Sequence, residues 1–190
     1  MIEVNKTPIP DVFIIQPKKF GDNRGFFSET YNAKDFSAHG IKDIFVQDNQ
    51  SYSAKAGTLR GLHYQLTPHA QTKLVRVTRG RVFDVAVDIR RGSPTFLKWT
   101  SIELSPEKWN EFYIPAGFAH GFLTLEDNCE FVYKVTDYYA PECDRSIRFD
   151  DPDIAISWPI DLAHVELSEK DKNAPFLKDA ELFDFAEMTK

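Results

Sequence analysis

The sequence lacks most features that mark a secreted or membrane-spanning protein. Its 190 residues include only two cysteines, Cys129 and Cys143, and neither belongs to a close cysteine pair or to a Cys/His ligand spacing. Unlinked, reduced thiols are typical of the cytosol. The N-terminal stretch MIEVNKTPIPDVF has no basic segment followed by an apolar one, and no apolar run approaches the ~20 residues that span a bilayer. We therefore expect a soluble, cytoplasmic protein without a membrane partner.

The charge balance also excludes a class of partner. Lys and Arg number 23, Asp and Glu number 29, and the net charge is −6 without a basic tract. Binding of nucleic acid over a general surface needs a basic patch, so this function is not expected. An anionic small molecule remains possible, provided that a few cations gather at one site.

Phenylalanine and proline are abundant, with 16 and 11 copies, and short strand-like runs follow one another between turn residues. In RVFDVAVDIR, Phe83, Val85 and Val87 alternate with Asp84 and Asp88, which predicts a half-buried strand with the acids on the solvent side. Many short strands with few helices predict an all-β antiparallel sandwich or barrel.

The chain length suits a single domain spanning residues 1–190. Residues 1–20 are expected to form an N-terminal arm or strand that is open to exchange between subunits. From Leu162 the pattern changes to short helical turns interrupted by Pro175, which predicts a helical tail over 162–190 packed on the β unit.

Seven ordered blocks of this chain resemble a known family. They are FGDNRGFFSETYN, FVQDNQS, GTLRGLHYQ, KLVRVTRGRVFDVAVDIR, IPAGFAHGFLTL, YKVTDYYAPE and LSEKDKNAP. In order and spacing they are similar to dTDP-4-dehydrorhamnose 3,5-epimerases. The resemblance implies a jelly-roll (cupin) fold, a homodimer, no metal and no organic cofactor. It also implies a dTDP-linked 4-ketosugar as substrate, within dTDP-L-rhamnose and polysaccharide biosynthesis.

The implied chemistry is proton transfer at C3 and C5, which are acidified by the C4 ketone. The resemblance assigns the base to His63, since an imidazole can accept a proton and return it, and it assigns the acid on the far face to Tyr133. It assigns Lys73 to the C4 oxygen and Asp171 to the support of His63. From the residues alone, Ser168 to Asp171 equally fits a helix capping box, and the two readings stay open.

The resemblance also implies a larger set of substrate contacts, some of them supplied by the neighbouring subunit. Arg24 and Arg60 are candidates for the diphosphate, because a guanidinium matches phosphate oxygens. Phe20 and Tyr138 are candidates for stacking on the base. One position departs from the family pattern, since Asp144 stands where a glutamate is expected. The remaining implied contacts are Glu29, Gln47, Asn49, His120 and Lys170.

The stretch Thr58–Gln65 poses a geometrical problem. In a regular strand Arg60 and His63 would face opposite sides, yet the resemblance requires both in one pocket. Gly61 lies between them, and a glycine within a strand often marks a bulge or a close backbone approach. We therefore predict an irregularity at or next to Gly61.

Three alternatives compete with this interpretation. Residues 115–120 match the PxGxxH pattern of metal-dependent cupins, but Gln65 replaces the second histidine of the His-x-His motif that would begin at His63. A non-catalytic sugar-nucleotide binder has no need of a matched base and acid. A 3-only or 5-only epimerase, or one acting on a CDP-linked sugar, would use the same scaffold.

Overall fold

Two antiparallel sheets packed face to face form the centre of the molecule, for which a computed structural model describes residues 1–188. Short strands form because β-branched and aromatic residues alternate with polar ones between Gly, Pro and Asn turns. In chain order the strands are β1 (Ile2–Lys6), β2 (Phe13–Pro17), β3 (Phe20–Asp22), β4 (Gly25–Phe27), β5 (Gln47–Ser53), β6 (Leu59–Gln65), β7 (Lys73–Arg79), β8 (Val82–Asp88), β9 (Arg90–Arg91), β10 (Trp99–Leu104), β11 (Glu111–Ile114), β12 (Phe118–Thr124), β13 (Cys129–Val135), β14 (Asp144–Ser146) and β15 (Phe183–Asp184).

One sheet has six strands in the order β1-β2-β11-β7-β13-β5, and the other has five in the order β10-β8-β12-β6-β14. Strands β3 and β4 form a separate hairpin, and β9 pairs with β15 in parallel. The strand arrangement is a jelly roll of the cupin type, as the sequence indicated. The strands β1 and β2 extend the six-stranded sheet of their own chain through β11.

The inward faces of the two sheets are mainly apolar. Val75 and Val77 of β7 and Phe131 of β13 meet Phe118 and Phe122 of β12 in one buried cluster. Burial of such side chains contributes about 1.5–3 kcal/mol each. Polar side chains interrupt these same inward faces, and they mark the cavity described below.

The predicted half-burial of β8 is wrong. Val85 and Val87 lie in the cluster on the outer side of the five-stranded sheet, whereas Asp84 and Asp88 have 0% exposure on the inner side. Alternation reports which residues share a face, but it does not reveal what covers the second face. Here the opposite sheet covers Asp84. Asp88 is satisfied by Arg90 and other donors at the end of the strand.

The C-terminal segment packs on the outer side of the five-stranded sheet. Apolar residues from Ile147 to Phe183 join the cluster around Leu59 and Val87. The helical turns in this segment are short, and the last two residues of the expected tail, 189–190, lie outside the described residues. The turns are a 3-10 helix at Leu162–His164, α2 at Glu169–Lys172, a 3-10 helix at Leu177–Asp179 and α3 at Phe185–Met188.

Helix α1 (Ala33–Ala38), capped by Asn32, covers part of the outer side of the six-stranded sheet. Of the helices within residues 1–188, none has the length and apolar character needed to cross a bilayer.

Glu111 is an unusual buried acid on that outer side. It is 2% exposed, its Oε1 lies 3.8 Å from Arg76 Nε, and its Oε2 has no hydrogen-bond partner within residues 1–188. Burial raises the pKa of Glu111 to about 8, although Arg76 and Lys134 oppose the shift. The folded chain therefore favours the protonated carboxyl.

We predict that Glu111→Gln removes a pH-dependent loss of stability. A carboxyl whose pKa rises on folding, here from 4.5 to about 8, stabilises the fold fully below the unfolded value and loses that contribution as the pH rises. The difference in melting temperature, variant minus unmodified chain, should therefore increase from about pH 5 to about pH 9. Glu3→Gln, at an exposed position, is the control. A constant difference across this range would contradict the prediction.

Candidate active site

The strand pairing of β6 with β12 shifts between two successive contacts. His63 lies opposite His120 and Arg60 lies opposite Phe122, so three steps along β6 match two along β12. His120 and Phe122 share a face of β12, and this extra residue therefore brings Arg60 and His63 to the same side. The predicted irregularity next to Gly61 is confirmed.

Gly61 is required by the close approach of the two backbones. Its φ of 129° lies in the region that favours glycine, and a Cβ built there would lie 2.6 Å from Gly121 Cα and 2.8 Å from His120 O. The facing residue, Gly121, is equally confined by the carbonyl oxygen of Arg60. Because both facing residues are glycines, the two strands can approach closely enough to form the bulge. This bulge directs Arg60 and His63 inward.

His63 is held by a carboxylate from the C-terminal segment. Its Nε2 lies 2.5 Å from Asp171 Oδ1, and Ser168 Oγ donates to Asp171 Oδ2 at 2.7 Å. Burial by itself would raise the pKa of Asp171, but hydrogen bonds from His63, Ser168 and the Gly61 backbone lower it overall. The carboxylate therefore stays ionised beside the imidazole.

The two readings of Ser168–Asp171 turn out to be compatible. Ser168 caps α2 by accepting from the Asp171 backbone N–H at 3.1 Å, as a capping residue does. The Asp171 carboxylate, however, is directed to His63. The cap thus fixes the backbone that presents the carboxylate to the histidine.

Lys73 and Tyr133 face His63 from the six-stranded sheet. The three side chains line one cavity of about 210 Å³ between the sheets, together with Arg60 and His120. Burial lowers the pKa of Lys73 to about 8, with Asp84 and Asp144 opposing the shift, and the amine remains mostly protonated at neutral pH. Burial raises the pKa of Tyr133, which keeps its phenol protonated. The cavity thus holds a candidate base and a candidate acid on opposite walls.

Asp84 is a site residue that the sequence reasoning missed. Its Oδ1 and Oδ2 lie 2.9 Å and 3.1 Å from His120 Nε2, and both side chains are buried. Burial raises the pKa of Asp84 and lowers that of His120, and the pairing opposes both shifts. The one signal in the sequence is the shared parity of Asp84 and Asp88 on β8, which by itself predicts a solvent face.

A second opening adjoins the cavity between the sheets at His63 and Lys73 and continues toward the surface. Asp144 lies on its wall, where its Oδ2 accepts from Lys170 Nζ and from Tyr139 OH, the latter at 3.3 Å. The aspartate that replaces the expected glutamate is thus tied to Lys170 within the chain. The other lining residues include Gln47, Asn49, Gln65, Gln71 and Tyr133.

Several expected contacts do not reach this cavity in their own chain. Arg24 is 85% exposed and pairs with Asp22 at 2.6 Å, while Phe20 lies on the same exposed β3–β4 hairpin. Glu29 and Tyr138 are also exposed, and neither lines the two openings around His63. A single chain therefore presents an incomplete set of the implied contacts.

The described part of the chain contains no cluster of three or more His, Cys, Asp or Glu side chains arranged to hold a metal ion. His63 and His120 are paired neighbours on β6 and β12. The Nε2 of His63 is directed to Asp171, and that of His120 is directed to Asp84.

Comparisons with known proteins place this geometry in a class. A curated enzyme from Pseudomonas aeruginosa, dTDP-4-dehydrorhamnose 3,5-epimerase, is 52% identical over 183 residues, which cover 96% of this chain and 99% of that protein. A crystal structure of a 3,5-epimerase from Legionella pneumophila, in complex with dTDP-4-keto-L-rhamnose, matches with a TM-score of 0.92 and 49% identity over 97% of this chain and 99% of that one. The chain is thus a sugar-nucleotide epimerase, an isomerase on a jelly-roll scaffold.

The family profile of dTDP-4-dehydrorhamnose 3,5-epimerase matches residues 6–179. This chain belongs to that family. A 3'-monoepimerase from Streptomyces bikiniensis, solved in complex with dTDP-quinovose, shares the fold at a TM-score of 0.89 and 33% identity over 97% of this chain and 95% of that one. The scaffold by itself therefore accommodates both double and single epimerisation.

We predict that Gly61→Ala destabilises the chain more than Gly25→Ala. Both glycines have positive φ, 129° and 138°, but a Cβ at Gly25 would meet nothing within 4 Å. The Gly25 variant reports backbone strain alone, about 1–2 kcal/mol, whereas the Gly61 variant adds the collision with Gly121 and should lose at least ~2 kcal/mol more. Urea unfolding of both variants measures the difference. Equal losses would show that the close approach does not constrain this bulge.

Proposed function

We propose that the chain inverts C3 and C5 of dTDP-4-keto-6-deoxy-D-glucose and so produces dTDP-4-keto-L-rhamnose. The observation that carries this proposal is the single cavity in which the His63–Asp171 pair faces Tyr133 from the opposite sheet. A reaction that removes a proton from one face of a sugar and returns it on the other needs a base and an acid on opposite walls.

Proton removal is assigned to His63. The C4 ketone acidifies the hydrogens at C3 and C5, and an imidazole accepts a proton near neutral pH. Asp171, ionised and hydrogen-bonded to Nε2, balances the imidazolium that forms and orients the ring. The other ring nitrogen, Nδ1, is then the atom that receives the proton.

Two further roles are assigned to residues of the six-stranded sheet: stabilisation of the enolate oxygen and return of the proton. Lys73, mostly protonated at neutral pH and buried, supplies positive charge where the C4 oxygen becomes negative. Tyr133 keeps its proton because burial raises its pKa, and it can deliver this proton to the carbon on the far face. The His120–Asp84 pair presents a further polar group to the same cavity.

The second opening suits the nucleotide diphosphate. It continues outward from the proton-transfer groups and carries amide side chains at Gln47 and Asn49 with a lysine at Lys170. Asp144 orients that lysine, because it already accepts from Lys170 Nζ. Arg60 supplies a further cation from the wall of the inner cavity.

A homodimer would complete the site. The exposed β3–β4 hairpin carries Phe20 on β3 and Arg24 in its turn, and Phe26 and Phe27 on β4 are 55% and 66% exposed. Aromatic and arginine side chains exposed together are typical of an interface. We assign Phe20, Arg24 and Glu29 to the partner's site, while β1 and β2 stay in the sheet of their own chain. We assign Tyr138 to the nucleotide end, because its carbonyl accepts from Gln65 on the wall of the second opening.

The enzyme is assigned to the cytoplasm, in keeping with two free, buried cysteines. A 3-only or 5-only epimerase is the second candidate, since the matching 3'-monoepimerase shares the scaffold. Both candidate functions use the same base, and they differ in how many sugar carbons exchange their hydrogen with solvent.

Solvent isotope exchange tests the reaction. Incubated in D2O with dTDP-4-keto-6-deoxyglucose, the unmodified chain should acquire deuterium at C3 and C5, as seen by NMR of the sugar. His63→Ala should lose both exchanges by roughly 10²-fold or more, because the base is gone. Tyr133→Phe should keep proton removal by His63 but lose inversion by a similar factor.

The control for this experiment is His164→Ala, which alters an exposed histidine 3.5 Å from Asp161 and away from the cavity. Exchange that survives in His63→Ala would overturn the assignment of the base. Deuterium at one carbon only, in the unmodified chain, would select the mono-epimerase.

Subunit complementation tests the shared site. We expect Arg24→Ala and His63→Ala each to be inactive as homodimers. If Arg24 serves the partner's His63, each mixed dimer has one intact site, and an equimolar mixture should regain about one quarter of the unmodified activity. The mixture is refolded together from urea so that subunits exchange. No recovery, with mixed dimers verified by mass spectrometry, would place Arg24 in its own chain's site. An Arg24→Ala homodimer that keeps full activity would place Arg24 outside any site.

A further inference from the structure

We propose that Arg60 acts on the acid Tyr133, by holding a fixed positive charge that stabilises the phenolate formed when Tyr133 gives up its proton. This inference rests on the proposed function, because it assigns the acid step to Tyr133. It adds a positioning role to an arginine otherwise expected to bind only the diphosphate.

The first argument is the way in which Arg60 is anchored. Its backbone belongs to β6, but its Nε donates to Ser53 Oγ at 3.3 Å and its Nη2 donates to the Tyr52 carbonyl at 3.1 Å, both on β5. The guanidinium therefore crosses from one sheet to the other. Strand β5 pairs with β13, the strand of Tyr133, and the anchoring residues Tyr52 and Ser53 lie opposite Glu130 and Cys129 at its start.

The second argument is that Arg60 keeps its charge available. Among residues 1–188 no carboxylate forms an ion pair with it, in contrast to Arg24, Arg90 and Arg148. Its two recorded hydrogen bonds go to neutral oxygens and use Nε and Nη2. Of the five N–H donors of a guanidinium, the two on Nη1 donate no hydrogen bond within residues 1–188, and Arg60 lines the same cavity as Tyr133.

The surroundings of Tyr133 agree with this role. Burial raises the pKa of Tyr133, Arg60 acts in the opposite direction, and Asp144 adds to the rise. Arg60 is thus the cation that opposes the effect of burial on this phenol. The other titratable groups that line the two openings are His63, Lys73, His120, Lys170 and Asp171, with Asp84 beneath His120 and Tyr64 and Tyr139 at the outer opening.

The protonation step produces the negative charge that Arg60 stabilises. When the carbanion is protonated, the Tyr133 O–H bond breaks, a C–H bond forms at the sugar, and the electron pair stays on the phenolate oxygen. His63 at that moment holds the proton taken from the opposite face. Exchange with solvent then returns a proton to Tyr133 and removes one from His63, so no other reactant is consumed. A nearby guanidinium lowers the free energy of the intermediate phenolate.

The test titrates Tyr133 directly in the substrate-free protein. 3,5-Difluorotyrosine is incorporated at position 133, because its phenol ionises at a lower pH than tyrosine, and the ¹⁹F signal is followed against pH. Arg60→Gln should raise the titration midpoint by on the order of one pH unit. Arg60→Lys retains the charge and should shift the midpoint less. Arg79→Gln alters an exposed arginine near the far end of β7 and should leave the midpoint unchanged.

Two results would overturn the proposal. One is an unchanged midpoint in Arg60→Gln; a rise in KM and in the Kd for dTDP with that unchanged midpoint would mean that Arg60 binds only the diphosphate. The other is an equal shift in Arg60→Lys and Arg60→Gln, which would point to altered packing. Arg60→Met, a neutral side chain of similar length, replaces the Gln variant if circular dichroism shows that the latter does not fold.

The kinetic counterpart is a fall in kcat at saturating substrate that is larger in Arg60→Gln than in Arg60→Lys. Because the titration uses no substrate, it tests the electrostatic effect of Arg60 on Tyr133 separately. Failure of the proposed function would appear instead in the isotope exchange of His63→Ala.

Discussion

The close approach of β6 and β12 at Gly61 and Gly121 determines which side chains enter the cavity. One extra residue in β6 reverses the parity between Arg60 and His63, so an arginine and a histidine three residues apart share a face. A side chain at either glycine would separate the strands by collision with backbone atoms. The position of the proposed base therefore depends on two residues that carry no chemistry of their own.

The cavity that results concentrates ionisable groups in a place where burial disfavours charge. Two of these groups have a hydrogen-bonded partner from another element: Asp171 for His63, and Asp84 for His120. Removing one member would leave a buried polar group of the other without its hydrogen-bond partner, which costs about 1–3 kcal/mol. Lys73 has its pKa reduced to about 8 and still remains mostly cationic at neutral pH. The site is electrostatically prepared within an acidic protein.

Local patterns anticipated much of this arrangement. The alternation of Lys73, Val75 and Val77 placed the lysine on an inward face, where the structure has it buried. A glycine within TLRGLHYQ signalled the bulge, since glycine tolerates a backbone that other residues do not. The same reasoning failed for Asp84, because alternation distinguishes two faces of a strand and an acid suggests water. Only the facing sheet, contributed by residues distant in sequence, shows that this acid is covered.

The sequence by itself determined the class of fold, the family and the side-chain parity of individual strands, because these depend on neighbouring residues and on ordered motifs. The tertiary structure alone decided that Asp171 meets His63 across 108 positions of sequence, and that Asp84 pairs with His120. It also decided that Arg60 is anchored on the opposite sheet while Arg24 remains exposed. Contacts between distant segments follow from how the two sheets pack and where the chain returns, and no local pattern of residue types encodes that distance.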